Sequence, residues 1–255
     1  MTESEASRVV EKLIHGDGYA LVESLIDSET AARVRARVLE EVQQQQSRTS
    51  AQQVDSGVIG LGQAVQWGPD FEALVTNPGL LSIARKLLGD DVALGDMAAK
   101  VLMPGCEPGG LHVDYPYWAM DPGLPVEPAL MMQVIWMMEP FTAENGGTWI
   151  APGSQRWTEP LDRDRFRKHA SQAMGKAGDA VVSHGMLWHQ TAENHSTEPR
   201  VAILINYTQI AIRPMRDAGP FTEAFKARAT PELRSLLGFD HSKAIIKRAM
   251  ANRVK

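Results

Sequence analysis

The chain has 255 residues, 44% hydrophobic and 22% charged, with 26 basic against 31 acidic side chains and a net charge of −5. These values are those of a folded soluble protein. They exclude disordered and fibrous classes and, for want of positive charge, a general nucleic-acid binder. Cys106 is the only cysteine, so internal disulfides and multi-cysteine zinc sites are excluded. A chain this long can bury a full core without such staples, and one domain over residues 1–255 is expected. No stretch approaches the roughly 18 uninterrupted apolar residues of a membrane helix. The opening MTESEASRVVEKL is acidic and lacks the basic-then-apolar order of a secretory signal. The expectation is a cytoplasmic protein that binds neither nucleic acid nor membrane.

In chain order, residues 1–90 read mainly as helix. In DSETAARVRARVLEEVQQQQ, Ala31, Val34, Val38 and Val42 fall on one face, and Asp27 or Ser28 caps the start. Residues 47–66 are polar and read as a loop. A second helix is punctuated by Asn77 as cap, Pro78 at the first position, the body LLSIARKLL and Gly89 as terminator. From residue 91 to 213 short apolar runs alternate with Gly/Pro turns, as in DVALGDMAAKVLM, PGCEPGG, LHVDY, ALMMQVIWMM and RVAILINYTQIAI. Such punctuation predicts a jelly roll or barrel. Residues 214–255 return to helical text, ending in the basic SKAIIKRAMANRVK, read as a solvated terminal helix.

Two places carry chemistry. In His112-Val113-Asp114 a strand would project an imidazole and a carboxylate to the same side, although His-x-Asp alone is a weak signal. Downstream, His189 is followed eleven residues later by Arg200, which opens an apolar strand whose Arg200, Ala202, Leu204 and Asn206 share a face. A cation entering a core needs an anion. A small dicarboxylate would suit its two-pronged guanidinium, and a salt bridge to Glu193 or Glu198 would serve as well. Two histidines and a carboxylate on one side of a metal form the facial arrangement of non-haem iron(II) oxygenases.

With these pieces in order, the sequence resembles the phytanoyl-CoA dioxygenase family of iron(II)/2-oxoglutarate oxygenases over residues 10–240. The resemblance is carried by HGDGYALVESLIDSETAARVRARV, NPGLLSIARKLLGDDVALG, GGLHVDYPYW, ENGGTWIAPGSQ and GDAVVSHGMLWHQTAENHSTEPRVAILINY. It implies a double-stranded β-helix flanked by helices, with Fe(II), 2-oxoglutarate and O2 as cofactor and cosubstrates. The implied reaction hydroxylates an unactivated C–H of a small molecule, with release of succinate and CO2. Desaturation, ring closure or epoxidation can branch from the same chemistry. The resemblance makes His112, Asp114 and His189 the iron ligands and Arg200 the clamp on the C5 carboxylate. Thr191 joins that clamp, and Trp136 and Met97 line the cosubstrate pocket. From the residues alone, Gln133 in its apolar strand wants a partner, either the cosubstrate or a backbone group.

Tyr115, Tyr117 and Trp118 follow the metal strand and read either as core aromatics or as a wall over the substrate. His184 is a structural histidine on this reading, His195 an exposed one and Cys106 a packed thiol. Met131, Met132, Met137 and Met138 read as adaptable core. Asp114 argues against a halogenase, whose carboxylate ligand is replaced by a small residue. The complete triad with Arg200 argues against a hydrolase, a sensor or a binding module that has lost catalysis.

Overall fold

The computed structural model describes residues 1–46, 56–120, 124–158, 162–214 and 220–239. Helix α1 (Glu3–Ile14) begins with a reciprocal capping box between Thr2 and Glu5. It is followed by strand β1 (Tyr19–Val22) and α2 (Ser28–Gln46). Asp27 Oδ1 accepts the Thr30 N–H and caps α2. Next come β2 (Val58–Gly62), α3 (Pro69–Val75) and α4 (Pro78–Leu88). Helix α4 ends as its sequence predicts: Asn77 Oδ1 accepts from Gly79 and Leu80, and Gly89 closes the helix at φ 95°.

Strands β3 (Val92–Leu102), β4 (Met131–Met137), β5 (Trp149–Ile150), β6 (Ser171–Gln172), β7 (Ala180–His184), β8 (His189–Gln190) and β9 (Arg200–Gln209) build two antiparallel sheets, with α5 (Arg163–His169) between β5 and β6. The large sheet runs β1-β7-β4-β9-β3-β2 and the small one β6-β5-β8. This is the expected jelly roll with flanking helices. Short helices α6 (Glu223–Arg228) and α7 (Pro231–Leu236) follow. The expected loop at 47–66 is corrected in part. Residues 58–62 form the edge strand β2, paired with β3, because Val58, Ile59 and Leu61 give enough apolar text to pair beside a long neighbour. Residues 47–55 and the basic tail from 240 onward lie outside the described residues. None of the described helices is long and apolar enough to cross a membrane.

The large sheet has two chemically different faces because side chains alternate along a strand. Val201, Ile203, Ile205 and Tyr207 of β9, and Met132, Val134 and Trp136 of β4, pack outward against the helices in the main core. Ile135, Met137, Val181 and Ala202 face inward and meet Ile150 and Phe141 from the small-sheet side. Beside them the inner face opens into a cavity. On β3 a register shift between Leu94 and Asp96 sets which residues reach it. A Cβ on Gly95 would stand 2.9 Å from Thr208 Cγ2, so the irregularity needs glycine there.

Tyr207 ties the sheet to the helical layer. It is fully buried and its hydroxyl donates to the Val75 carbonyl at the end of α3, 2.6 Å away. Tyr207→Phe leaves that carbonyl without its donor, and a loss of about 1–3 kcal/mol is expected. Urea denaturation should show a lowered midpoint with an unchanged slope.

Candidate metal and dicarboxylate site

His112 and His189 come from opposite ends of the motif pattern and pair directly. The His112 N–H donates to the His189 carbonyl at 3.1 Å, and the His189 N–H donates to the His112 carbonyl at 3.0 Å. Their rings lie 4.3 Å apart, centroid to centroid. Asp114, two residues along, hangs its backbone N–H on the Gly185 carbonyl. One donor atom from each of His112, Asp114 and His189 lies within 4.8 Å of the others, a spacing that fits a single metal ion. Both imidazoles turn Nδ1 to a backbone carbonyl, Gly110 for His112 at 2.8 Å and Leu187 for His189 at 2.9 Å. Those contacts place the proton on Nδ1 and leave the Nε2 lone pairs for a metal.

Burial holds the histidines neutral: the His189 pKa falls to about 4, and His112 is lowered by burial and by the neighbouring His189. Burial pushes Asp114 upward, against His112 and Lys100. A buried acid, the buried imidazole of His189 and the half-buried one of His112 are the donor set that a divalent cation would convert into a bound, charge-compensated centre.

The site opens into a cavity of about 270 Å³ between the two sheets. At one end stands Arg200, 2% exposed, with one guanidinium nitrogen donating to the Gly146 carbonyl at 2.7 Å and the group lying over the Phe141 ring at 4.2 Å. Its Nε has no acceptor. Burial lowers its pKa to about 10, opposed chiefly by Glu139. No described residue forms an ion pair with Arg200, so the salt bridge to Glu193 or Glu198 is not made; Glu193 pairs with His195 instead. Gly146 is needed for the contact it makes: at φ 88°, a Cβ there would sit 2.7 Å from the Glu193 carbonyl oxygen. The eleven-residue return from His189 to Arg200 is folded by Asn194. This buried side chain donates to the Leu102 and Glu198 carbonyls, both at 2.8 Å.

Beside Arg200 lies a second cation that the motifs do not reveal. Lys100 projects inward from β3 and donates to Thr191 Oγ1 at 2.5 Å. Burial, and then the nearby Arg200, lower its pKa to about 8. The signal was present in the sequence: a lysine in the apolar run of β3 invites the same question as the arginine that opens β9. Arg200, Lys100 and Thr191 together form an anion-receptive end, and the metal-ligand cluster opens into the same cavity.

Gln133 lines the cavity too. Its Nε2 donates to Asp114 Oδ1 at 3.0 Å, while its Oε1 is buried and without a donor. Trp136 and Met97 are not cavity residues, which corrects the sequence reading. Both lie in the main core on the outer face of the sheet, 0% and 2% exposed. The reason is parity: Trp136 is three residues from inward-facing Gln133, and Met97 sits between inward-facing Asp96 and Ala98.

Tyr117 is a core aromatic, its hydroxyl accepting the Leu130 N–H at 2.7 Å. Tyr115 packs edge-on to Trp118, which is 58% exposed, and neither lines the cavity. His184 is fully buried, with both ring nitrogens bonded to backbone groups of Val126 and Met186. His195 is exposed, Cys106 is packed against the Ala192 carbonyl, and the four methionines are core.

Comparison with known proteins shows the family and the fold. The family model described as phytanoyl-CoA dioxygenase matches residues 14–202. The chain is 31% identical to the dioxygenase af480 of Aspergillus fumigatus over 70% of its own length and 59% of that protein's, less than two thirds of that relative. It is 23% identical to an L-proline trans-4-hydroxylase of Streptomyces griseoviridis, over 80% and 87% of the two chains. The solved structure of SnoN, a non-haem α-ketoglutarate-dependent epimerase from nogalamycin biosynthesis, superposes with a TM-score of 0.64. That likeness covers 87% of this chain and 96% of that one at 17% identity, and it is a likeness of fold.

The placement of Trp136 is open to a direct check. Trp136→Ala should cost about 3–5 kcal/mol by emptying a core position and leave 2-oxoglutarate affinity per folded molecule unchanged. Trp136→Phe should be mild, since the indole N–H it loses has no acceptor. Chemical denaturation alongside calorimetric titration of 2-oxoglutarate reads both quantities. A selective loss of affinity would return Trp136 to the pocket.

Proposed function

The chain belongs to the phytanoyl-CoA dioxygenase family, and we propose that it is an Fe(II)- and 2-oxoglutarate-dependent oxygenase that hydroxylates an unactivated C–H of a small molecule, releasing succinate and CO2. The observation that carries this reading is one cavity holding three convergent metal donors and a buried arginine that forms no ion pair with any described carboxylate. His112, Asp114 and His189 would hold the iron, the histidines through the Nε2 lone pairs that their Nδ1 contacts leave free and Asp114 through its carboxylate. Three protein ligands leave coordination positions for a cosubstrate and dioxygen. When bound, iron with 2-oxoglutarate and dioxygen supplies the oxidant that attacks the C–H bond.

The chain's own work is positioning and exclusion. Arg200 receives the far carboxylate through its two-pronged guanidinium, and Lys100 and Thr191 flank it. Ala98, Ile135 and Leu204 give the cavity an apolar wall between its charged end and the row formed by Asp96, Asn206 and Gln133. That wall limits water beside the reacting atoms. Asp114 occupies the position that a halogenase would leave to a halide, so hydroxyl transfer is the outcome assigned. The relatives named as dioxygenases and a hydroxylase support an oxygenase acting on a small molecule.

Anaerobic titration with Fe(II) should show one ion per chain, and His112→Ala or His189→Ala should abolish both tight binding and succinate formation. Wild-type iron content in either variant would remove that histidine from the site. Arg200→Ala removes a buried charge-assisted contact worth about 2–5 kcal/mol, or a rise of roughly 30-fold to several thousand-fold in the 2-oxoglutarate dissociation constant. Lys100→Met removes a single charged hydrogen bond of about 1.5–3 kcal/mol, a rise of roughly 10- to 100-fold. Arg200→Ala leaves the metal donors unaltered, so its Fe(II) affinity should hold, whereas Lys100→Met removes a cation that acts on all three donors and should not weaken Fe(II) binding. Unaltered 2-oxoglutarate affinity in Arg200→Ala would overturn the dicarboxylate assignment.

A further inference from the structure

We infer that Gln133 is a positioning residue for the metal-ligand carboxylate: its amide N–H fixes Asp114 so that one oxygen is presented to the metal. The inference rests on the oxygenase reading above and adds a residue to it. Gln133 stands in the middle of β4, where every residue is buried. Its Nε2 donates to Asp114 Oδ1 at 3.0 Å, and this is also the oxygen that faces His189 Nε2 at 3.9 Å. The backbone of Asp114 is anchored by Gly185, but that bond does not restrain rotation of the carboxylate about its own side-chain torsions. The Gln133 amide does. With one lone pair of Oδ1 engaged by Gln133, that oxygen keeps another for a metal. Turning the carboxylate to chelate through both oxygens would disturb the amide contact. A one-oxygen ligand preserves the coordination positions that a two-toothed cosubstrate and dioxygen require.

The orientation of the amide supports this role. If its oxygen faced Asp114, two acceptors would stand against each other, so the N–H side must face the carboxylate. The oxygen is thereby turned away, and it has no donor among the described residues although it is buried. Across the strand pair stands Asn206, whose Oδ1 also lacks one. An unpaired buried oxygen lowers stability, so the fold alone gives no reason for glutamine at this point in an apolar strand. Its contact with Asp114 does. A carboxamide that orients a ligating carboxylate typically matters 10- to 100-fold for metal affinity or activity.

The test uses the full chain, free of metal and under anaerobic conditions, with Gln133→Met as a near-isosteric apolar variant and Gln133→Asn as a shortened amide that cannot span to Asp114. Co(II), whose visible spectrum reports its coordination, is titrated beside Fe(II). Both variants should bind either metal about 10- to 100-fold more weakly than wild type, with an altered Co(II) spectrum. The melting temperature of metal-free Gln133→Met combines two opposed changes, removal of the unsatisfied Oε1 and loss of the donor to Asp114, so metal affinity and the Co(II) spectrum decide the test. A purely structural glutamine leaves affinity and spectrum at wild type, and that result overturns the inference. Wild-type protein that binds neither metal would defeat the oxygenase reading itself, which keeps the two failures apart.

Discussion

The two-residue period of the β-strand governs this molecule. On β9 it sends Val201, Ile203, Ile205 and Tyr207 into the helix-covered core and Arg200, Leu204 and Asn206 into the cavity. On β4 it divides Val134 and Trp136 from Gln133 and Ile135 in the same way. A slip of one residue in either strand would drive the arginine into the apolar layer and the aliphatic residues into the cavity. Register is therefore held by the outer face and used by the inner one. Helix α2 reinforces it from outside: Arg35 donates to the Pro199 carbonyl and pairs with Glu139, which in turn accepts the Val201 N–H. The strand that carries the guanidinium is thus pinned at the residues on both sides of it.

The cavity is electrostatically unfinished. Lys100 and Arg200 are like charges, the first half-buried and the second buried, and each is shifted downward by its loss of solvent. Glu139 offsets Arg200 only from a distance, and burial raises its own pKa to about 7, which weakens it as a counter-charge. At the metal-ligand cluster the imbalance is of another kind, with neutral imidazoles around a carboxylate that burial disfavours. A divalent cation at the cluster and a dicarboxylate reaching toward the arginine correct both at once. Each ligand supplies the charge that its end of the cavity lacks, which is why the two ends argue for one chemistry more strongly than either does alone.

The ordered motifs made the jelly roll, its flanking helices and the grouping of His112, Asp114, His189, Thr191 and Arg200 legible before any coordinates. Helix ends were equally readable at Asn77 and Gly89, because caps are local chemistry. What escaped was parity over longer distances. Trp136 was assigned to the pocket by resemblance, although its odd separation from Gln133 within one strand placed the two on opposite faces. Met97 failed for the same reason, in a strand whose phase is set by the irregularity at Gly95. Lys100 belongs to no motif, and only the fold brings Thr191, just beyond β8, across to it. The short apolar text of β2, Val58, Ile59 and Leu61, reads as strand only beside β3, with which it pairs along its whole length.

Two faces of one sheet therefore serve opposed requirements. The outer face and its helices bury large apolar side chains: the Tyr207 hydroxyl finds the Val75 carbonyl, while the Trp136 indole N–H goes without an acceptor among the described residues. The inner face keeps Gln133 Oε1, Arg200 Nε and Asn206 Oδ1 buried without partners, each a loss that a better-satisfied arrangement would avoid. A fold selected only for stability would fill this space with the aliphatic side chains that already line its middle. The concentration of unmet donors and acceptors beside the three metal donors is the physical mark of a site whose partners arrive after folding. Ligands that bind only the folded chain stabilise it by mass action, so on the proposed function metal and dicarboxylate would recover the stability forgone on the inner face. The helical layer need only hold the empty form together until then.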